Sequence, residues 1–469
     1  MHKVRLGGYV FEANDGEKLS QLLIRNRIDV QHPCGGRGTC KKCKVKVNGR
    51  DELSCRYEIK SDIEVELYDS LDIESESGVD TNDSKSKNVC LALDIGTTTL
   101  ALSLVSLDDK KAVKVVTATN PQRVYGADVI TRIDHCKRNS VNELQTILIA
   151  EINKMIREVG CDDIGVMYVS GNTTMLHIFF GVDCSSIGVA PYTPVFLDEK
   201  HGNAKDLGII GVERVVSLPG VASFVGADIV AGLNYIGMPE DDSYYLLLDL
   251  GTNAEIVLFS KSGGVATAAA AGPCFEGANI SCGMSATRGA VYSFEFLDDG
   301  TAKFDTIMGE KAVGICGTGL IDIVSELLCR EIIDETGYME QEEFVLDDGV
   351  WLSDADVRQY QLAKSAVCSA ILVLMDVVGI DFDRISKLFI SGGFSARINV
   401  KNAAASGLLP KELQQKTVAL NNSSLLGTIK FAFDGGILTE YVLSIKYVDL
   451  SADPKFADLF VENMMFELP

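Results

Sequence analysis

Two segments of this chain repeat one pattern, and the repetition limits the folds open to it. Residues 91–107 and 244–260 each read as an apolar strand, an Asp-x-Gly-Thr turn and a second apolar strand, about 155 residues apart. A duplicated strand–turn–strand unit implies two similar lobes, each opening with the same hairpin. The turns are Asp94-Ile95-Gly96-Thr97-Thr98-Thr99 and Asp249-Leu250-Gly251-Thr252-Asn253. Their glycines let the backbone come close to a phosphate, and the turn N–H groups and threonine hydroxyls are donors to its oxygens. The aspartates repel phosphate and suit Mg2+ held through water. Two such hairpins face to face would hold a metal–triphosphate between lobes. Asp94 would stand on one side, and Asp249 or Glu255 would orient an attacking water.

A single Asp-x-Gly-Thr turn is ordinary hairpin chemistry, but here a third element follows in order. An apolar strand at 387–391 ends in Ser391-Gly392-Gly393, where bare backbone would let a flat base or ribose lie close. Gly317-Thr318-Gly319 opens a helix whose N-terminus would line the same cleft. The chain has no G-x4-G-K-[ST] loop and no G-x-G-x-x-G after a strand, which excludes P-loop and Rossmann readings. Helical spacing at 126–138, 141–158, 317–332 and 354–378, between the strands, predicts an α/β architecture.

The N-terminal segment has a different chemistry. Cys34, Cys40 and Cys43 fall in one Gly- and Lys-rich loop, and Cys55 follows with a spacing of C-x5-C-x2-C-x11-C. Four thiolates match what a 2Fe–2S cluster needs. A zinc site of four cysteines is the main alternative, but zinc ligands usually come as two close pairs. Around this loop, strands at 3–6 and 9–12 flank a Gly7-Gly8 turn. A helix at 17–27 places Leu19, Leu22 and Leu23 on one face, and short strands surround Val45, Val47 and 63–67. That order predicts a β-grasp domain. Residues 1–69 sum to about +2, while the whole chain carries −23. Between the two parts, residues 70–88 are acidic, Ser-rich and without apolar pattern, which predicts a flexible linker. The expected domains are therefore 1–69, the linker 70–88, and ATPase lobes at 89–240 and 241–469.

A charge of −23 makes nucleic acid and anionic lipid poor partners. The start of the chain lacks the apolar core of a secretory signal, and the apolar run near Ile371–Met375 stops at Asp376, short of a membrane span. A cytoplasmic protein is expected. Thirteen cysteines in a chain of 469 residues do not suggest a disulfide framework. The nine outside the N-terminal motif are expected mainly as buried small hydrophobes.

The two hairpins and the Gly-Gly strand end resemble the phosphate-1, phosphate-2 and adenosine elements of the acetate kinase, sugar kinase and actin superfamily. Joined to the cysteine motif, they resemble the reductive activators of corrinoid-dependent methyltransferases and corrinoid proteins. Further residues carry that resemblance: Asn120-Pro121-Gln122, Tyr125-Gly126-Ala127-Asp128, Gly171-Asn172-Thr173-Thr174, the run 271–280, the run 316–322, Gln361-Leu362-Ala363-Lys364 and the run 422–427. The resemblance implies a ferredoxin-like 2Fe–2S domain followed by a duplicated two-lobed, actin-like (ribonuclease-H-like) ATPase. It also implies a cluster, ATP and Mg2+ as cofactors, and a corrinoid protein and a low-potential electron donor as partners, and it leaves a homodimer open. An electron-gating ATPase for another acceptor, a small-molecule kinase with a regulatory cluster, and a nucleotide-binding electron carrier stay open. Larger members of that family have an extended region where this chain has only 70–88.

Overall fold

The computed structural model describes residues 1–6, 9–26, 43–67, 88–126, 128–161, 163–393, 395–434 and 438–467. The Gly7-Gly8 turn, Cys34, Cys40, Phe394 and the expected linker up to residue 87 lie outside the described residues.

The N-terminal domain is a five-stranded sheet ordered Tyr9–Ala13, His2–Leu6, Ile63–Leu67, Lys44–Val47, Arg50–Leu53. His2–Leu6 and Ile63–Leu67 run parallel, and the other neighbours are antiparallel. Helix Leu19–Arg25 buries Leu19, Leu22 and Leu23 against Val4, Val45, Ile63 and Val65, the face that the leucine spacing predicts. This is the β-grasp arrangement.

The two larger sheets repeat one topology. In lobe 1, Val89–Ile95, Thr99–Ser106 and Lys111–Thr119 form an antiparallel meander, and Ile164–Gly171 then Val212–Ser217 add in parallel on the other side of the first strand. In lobe 2, Tyr244–Leu250, Ala254–Ser260 and Gly263–Ala269 form the meander, and Ile385–Ser391 then Thr417–Ala419 add in parallel. The opening strands are buried on both faces, which is why they read as near-continuous apolar runs. Leu91, Leu93 and Ile95 pack under the helices of lobe 1, and Cys90 and Ala92 pack on the opposite face. Leu246, Leu248 and Leu250 do the same in lobe 2, with Leu247 on the reverse face.

The helices on those inner faces are exchanged along the chain. Helix Ala227–Ile236 precedes the lobe 2 hairpin and bridges the lobes: Ala227, Val230 and Ala231 join the lobe 1 core, while Ile229 and Leu233 pack on Leu247, Val257 and Phe259 of lobe 2. Helix Ser423–Asp434 follows the lobe 2 strands, yet its Leu425 and Ile429 pack on Cys90, Ala92, Ala101 and Val105 of lobe 1. The two helices touch where Gly427 lies against Ala231. A Cβ on Gly427 would sit 1.7 Å from the Ala231 carbonyl oxygen, so only glycine permits this approach.

Three features depart from the sequence reading. The apolar run at 371–375 belongs to helix Asp354–Val378, which is 25 residues long. By length and composition that helix could cross a membrane, contrary to the expectation drawn from the run alone. Here it is the core helix of lobe 2, burying Val357, Ala363, Val367, Ala370, Ile371 and Leu374. Lobe 2 also carries a small sheet, Ala290–Phe296 with Ala302–Thr306 and Gly314–Ile315, and a hairpin, Glu343–Asp347 with Val350–Ser353, neither of which was expected. Of the nine remaining cysteines, Cys90, Cys136, Cys184, Cys274 and Cys316 are buried as predicted, whereas Cys161, Cys282 and Cys368 are partly exposed and Cys329 is exposed.

Candidate functional site

At the cysteine motif, the structure describes Cys43 and Cys55. Their sulfurs are 3.2 Å apart, and each residue is 1% exposed. The gap of eleven residues between them is a tight hairpin. Lys44–Val47 pairs with Arg50–Leu53 in register Lys44↔Leu53, around an Asn48-Gly49 turn with φ of 49° and 77°. The Ser54 N–H donating to the Cys43 carbonyl at 2.9 Å closes its open end. Folding of a local hairpin therefore delivers two thiols side by side without a disulfide, which fits a pair of ligands on one iron.

The cleft between the lobes gathers carboxylates from five segments. Asp94 ends the first strand of lobe 1. Its two oxygens accept from Ser424 Oγ at 2.7 Å and Asn422 Nδ2 at 3.0 Å, both at the start of the exchanged helix Ser423–Asp434. Burial raises Asp94 to about 6 despite those donors. Asp249 ends the matching strand of lobe 2 and accepts from Ser391 Oγ. The strand registers repeat in the two lobes: Asp94 stands beside Ser170 and Asp249 beside Ser391. Across the antiparallel pair, however, Asp94 faces Ala101 and Asp249 faces Glu255. Opposed positions bring side chains close. Enclosure by protein, together with Asp249 and Asp228, holds the Glu255 carboxyl well above its usual range. Burial raises Asp249 as well.

Two more acids, neither predicted, complete the group. Asp228 sits in the first turn of helix Ala227–Ile236, with its Oδ1 accepting from the Ile229 N–H at 2.9 Å. Burial first, then the nearby Asp249 and Asp94, raise it to about 8. Glu276 accepts from Thr252 Oγ1 at 2.6 Å, and burial raises its pKa. Asp228, Asp249 and Glu255 still touch solvent through the cleft, and Glu276 is exposed, so these acids are enclosed by protein more than they are removed from water. Among the described residues, no three His, Cys, Asp or Glu side chains form a direct metal-binding set.

The turns differ in detail from the expectation. The Gly96 N–H is spent on Thr99 O and the Gly251 N–H on Asn253 O, both at 3.0 Å, so neither glycine offers its N–H to a phosphate. Thr97 Oγ1 accepts from Asn172 Nδ2 at 3.0 Å, which leaves its own proton to donate. Thr252 spends its proton on Glu276. Thr98 is exposed at the turn, and Thr99 begins the return strand. Gly392 has φ +114°, and a Cβ there would lie 2.2 Å from the Leu250 carbonyl oxygen; nothing lies within 4 Å of the corresponding point on Gly393. That open backbone next to Asp249 fits the expected seat for a flat group. Gly317 and Gly319 are buried, with the Phe275 and Val291 carbonyl oxygens 2.2 and 2.1 Å from where their Cβ atoms would be. Close packing accounts for the absence of a side chain at these two positions.

Asn172, Glu276, Asn422 and Ser424 lie in runs that carry the family resemblance, where the sequence attached no role to them. Asp228 had no local signal at all, being one acid at the start of an apolar helix.

Comparison with known proteins covers the chain in three parts. Residues 4–67 match the 2Fe-2S iron-sulfur cluster binding domain, residues 89–241 the RACo middle region, and residues 243–468 the C-terminal domain of RACo, the ASKHA domain. Over 429 residues the chain is 26% identical to the corrinoid activation enzyme RamQ of Eubacterium limosum, covering 83% of this chain and 72% of that protein. It is 25% identical over 382 residues to the Co(II) methylated amine-specific corrinoid protein reductase of Methanosarcina barkeri, covering 71% of this chain and 68% of that one. A solved structure described as a reductive activator for corrinoid, iron-sulfur protein superposes with a TM-score of 0.72 at 27% identity, covering 99% of this chain and 98% of that one.

Proposed function

We propose, for a chain that belongs to the reductive activators of corrinoid proteins, that it uses ATP to drive one electron onto a corrinoid protein whose cobalt has been oxidised to Co(II), returning it to Co(I). The observation that carries this reading is the presence, on one polypeptide, of a buried cysteine pair presented by a β-grasp hairpin and a carboxylate-lined cleft between two duplicated lobes.

Cys34, Cys40, Cys43 and Cys55 would hold a 2Fe–2S cluster, which when bound supplies a low-potential electron, roughly −400 mV for plant-type clusters. In the cleft, Asp94 and Asp249 would orient the water shell of Mg2+, with Asp94 fixed by Asn422 and Ser424. Thr97 and the exposed Thr98 would donate to phosphate oxygens, and Gly392-Gly393 would receive the nucleoside. Glu255, with its carboxyl raised by burial and by Asp249, is suited to take the proton of the attacking water. The two exchanged helices touch both lobes and would carry lobe closure. We read 1–69 as the cluster domain, 70–88 as the linker, and 89–240 and 241–469 as the lobes. An outside low-potential donor and a cytoplasmic address belong to the same reading.

The test is anaerobic. The protein is reduced and mixed with ATP, Mg2+ and a Co(II) corrinoid protein, and the Co(I) absorption is followed. Co(I) that forms with ATP and not without it is the expected result. Co(I) formed equally without ATP, or phosphorylation of a small molecule in its place, would overturn the proposal.

A further inference from the structure

Helix Val129–Arg138 carries an arginine with no exposed surface. The Arg132 guanidinium donates from Nε to the Gly126 carbonyl at 3.0 Å, from Nη1 to Gln122 Oε1 and Met175 Sδ, each at 3.2 Å, and from Nη2 to the Thr97 carbonyl at 2.5 Å. All four acceptors are uncharged. Its nearest acids, Asp128 and Glu276, act on it only at longer range. Asp128 is occupied in capping its helix, accepting from the Thr131 N–H at 2.8 Å, and Glu276 is occupied by Thr252. Burial pushes Arg132 down to about 9, which leaves it charged at neutral pH. A buried cation with only neutral direct partners is costly, and a neutral donor could satisfy the same acceptors without burying a charge. The cost therefore calls for a reason outside the packing.

The reason lies in what Arg132 holds. Thr97 is the first threonine of the lobe 1 turn. Arg132 fixes its carbonyl while Asn172 fixes its hydroxyl oxygen, so the residue is held from two sides with its hydroxyl proton left free. Asn120, in the same neighbourhood, donates from its N–H to the Thr98 carbonyl at 2.8 Å and from its side chain to the Gly96 carbonyl at 2.8 Å. Three carbonyls of the turn are thus drawn inward by donors behind it. In the matching turn of lobe 2, the Thr252 hydroxyl is tied to an acid, Glu276.

We propose that Arg132 is a positioning residue that makes the Thr97-Thr98 turn a seat for a phosphate group, its charge, which no acid contacts directly, being fully satisfied when an anionic ligand occupies that seat. The proposal rests on the nucleotide reading above and adds to it the residue that sets the preference of lobe 1 for the charged end of the ligand. Arg132 does not touch the phosphate. It acts through the turn and through its field.

The test compares ATP with adenosine, which shares the base and sugar but has no charge. Both are titrated calorimetrically into the wild-type chain, Arg132→Met and Arg132→Lys. In Arg132→Met, ATP affinity falls on the order of tenfold to a hundredfold and adenosine affinity does not change, while the ligand-free thermal midpoint falls because the Gly126, Gln122 and Thr97 acceptors lose their donor. Arg132→Lys keeps the charge and loses the fork, and falls between. Equal losses for ATP and adenosine would reduce Arg132 to a structural role and overturn the proposal, as would unchanged ATP binding. Should the methionine variant fail to fold, the lysine variant carries the same ATP-against-adenosine comparison. A wild-type chain that binds neither ligand overturns the nucleotide reading itself, and the first titration alone reveals it.

Discussion

In lobe 1 the aspartate at the end of the opening strand faces Ala101, and in lobe 2 its counterpart faces Glu255. The surrounding backbone is nearly the same. Each aspartate has a serine beside it on the parallel strand, Ser170 or Ser391, and each serine precedes a glycine pressed against a strand carbonyl, that of Ile95 or Leu250. The partners differ. Asp94 accepts from two donors at the start of the exchanged helix, and its turn is backed by a cation. Asp249 has one donor, a like-charged neighbour directly across the ladder, and a turn threonine tied to a further acid. On the proposed function, one duplicated scaffold serves as a phosphate-seating side and an acid side. Opposed like charges destabilise a sheet, and their presence in lobe 2 is what leads us to propose the proton chemistry there.

The hardest test of that division removes the acid at the centre of lobe 2. Asp249→Asn should cut ATP hydrolysis on the order of 10²–10⁴-fold and abolish ATP-dependent Co(I) formation, with the visible absorbance of the cluster unchanged. Co(I) formation that survives without hydrolysis would show the two events to be uncoupled. Glu255→Gln comes next. If Glu255 takes the water proton, hydrolysis drops roughly 10²-fold, and relief of the like-charge pair with Asp249 raises stability by up to about 1 kcal/mol. A stabilised variant with full activity would move the base elsewhere, to Asp228 or Glu276.

Asp228 separates the sides through pH. Its pKa is about 8 in the folded chain against an ordinary value of 3.8. A carboxyl with a higher pKa folded than unfolded binds more protons when folded, so its contribution to stability is lost as pH rises from about 4 and is fully lost above about 8. Asp94, at about 6, has the same sign over a narrower window. In urea unfolding, Asp228→Asn should therefore gain on wild type as pH rises from 5 to 8. The gain should be on the order of 1–3 kcal/mol, discounted because the carboxyl touches cleft solvent. A gap that does not change with pH would mean that Asp228 is ionised throughout.

How much of this was legible in the sequence follows from how local each feature is. The hairpins were readable because strand, turn and strand are contiguous, and the N-terminal helix was readable from the spacing of three leucines. The exchange of helices Ala227–Ile236 and Ser423–Asp434 was not, because both are short apolar stretches whose choice of lobe depends on a close contact at Gly427 that spacing does not encode. Asp228 reaches the cleft only through that exchange. Gly317 and Gly319 are ambiguous for the opposite reason: a glycine needed for packing and one needed for a ligand look alike in a sequence.

The smallest predicted effect tests whether the difference in donors between the hairpins has functional weight. Ser391 is the side-chain donor to Asp249, whereas Ser424 shares Asp94 with Asn422. A hydrogen bond to a charged group is worth about 1.5–3 kcal/mol, but losing one of two donors lets the remaining one and cleft water take up part of the loss. Ser391→Ala should therefore lower kcat for ATP hydrolysis about tenfold, while Ser424→Ala lowers it only a few-fold, and Ser424→Thr, which keeps the hydroxyl, should restore it. Melting temperatures measured alongside separate a positional loss from a folding one. Equal losses in kcat would mean that both aspartates are positioned mainly by their strands, and the contrast between the hairpins would then rest on Glu255 alone.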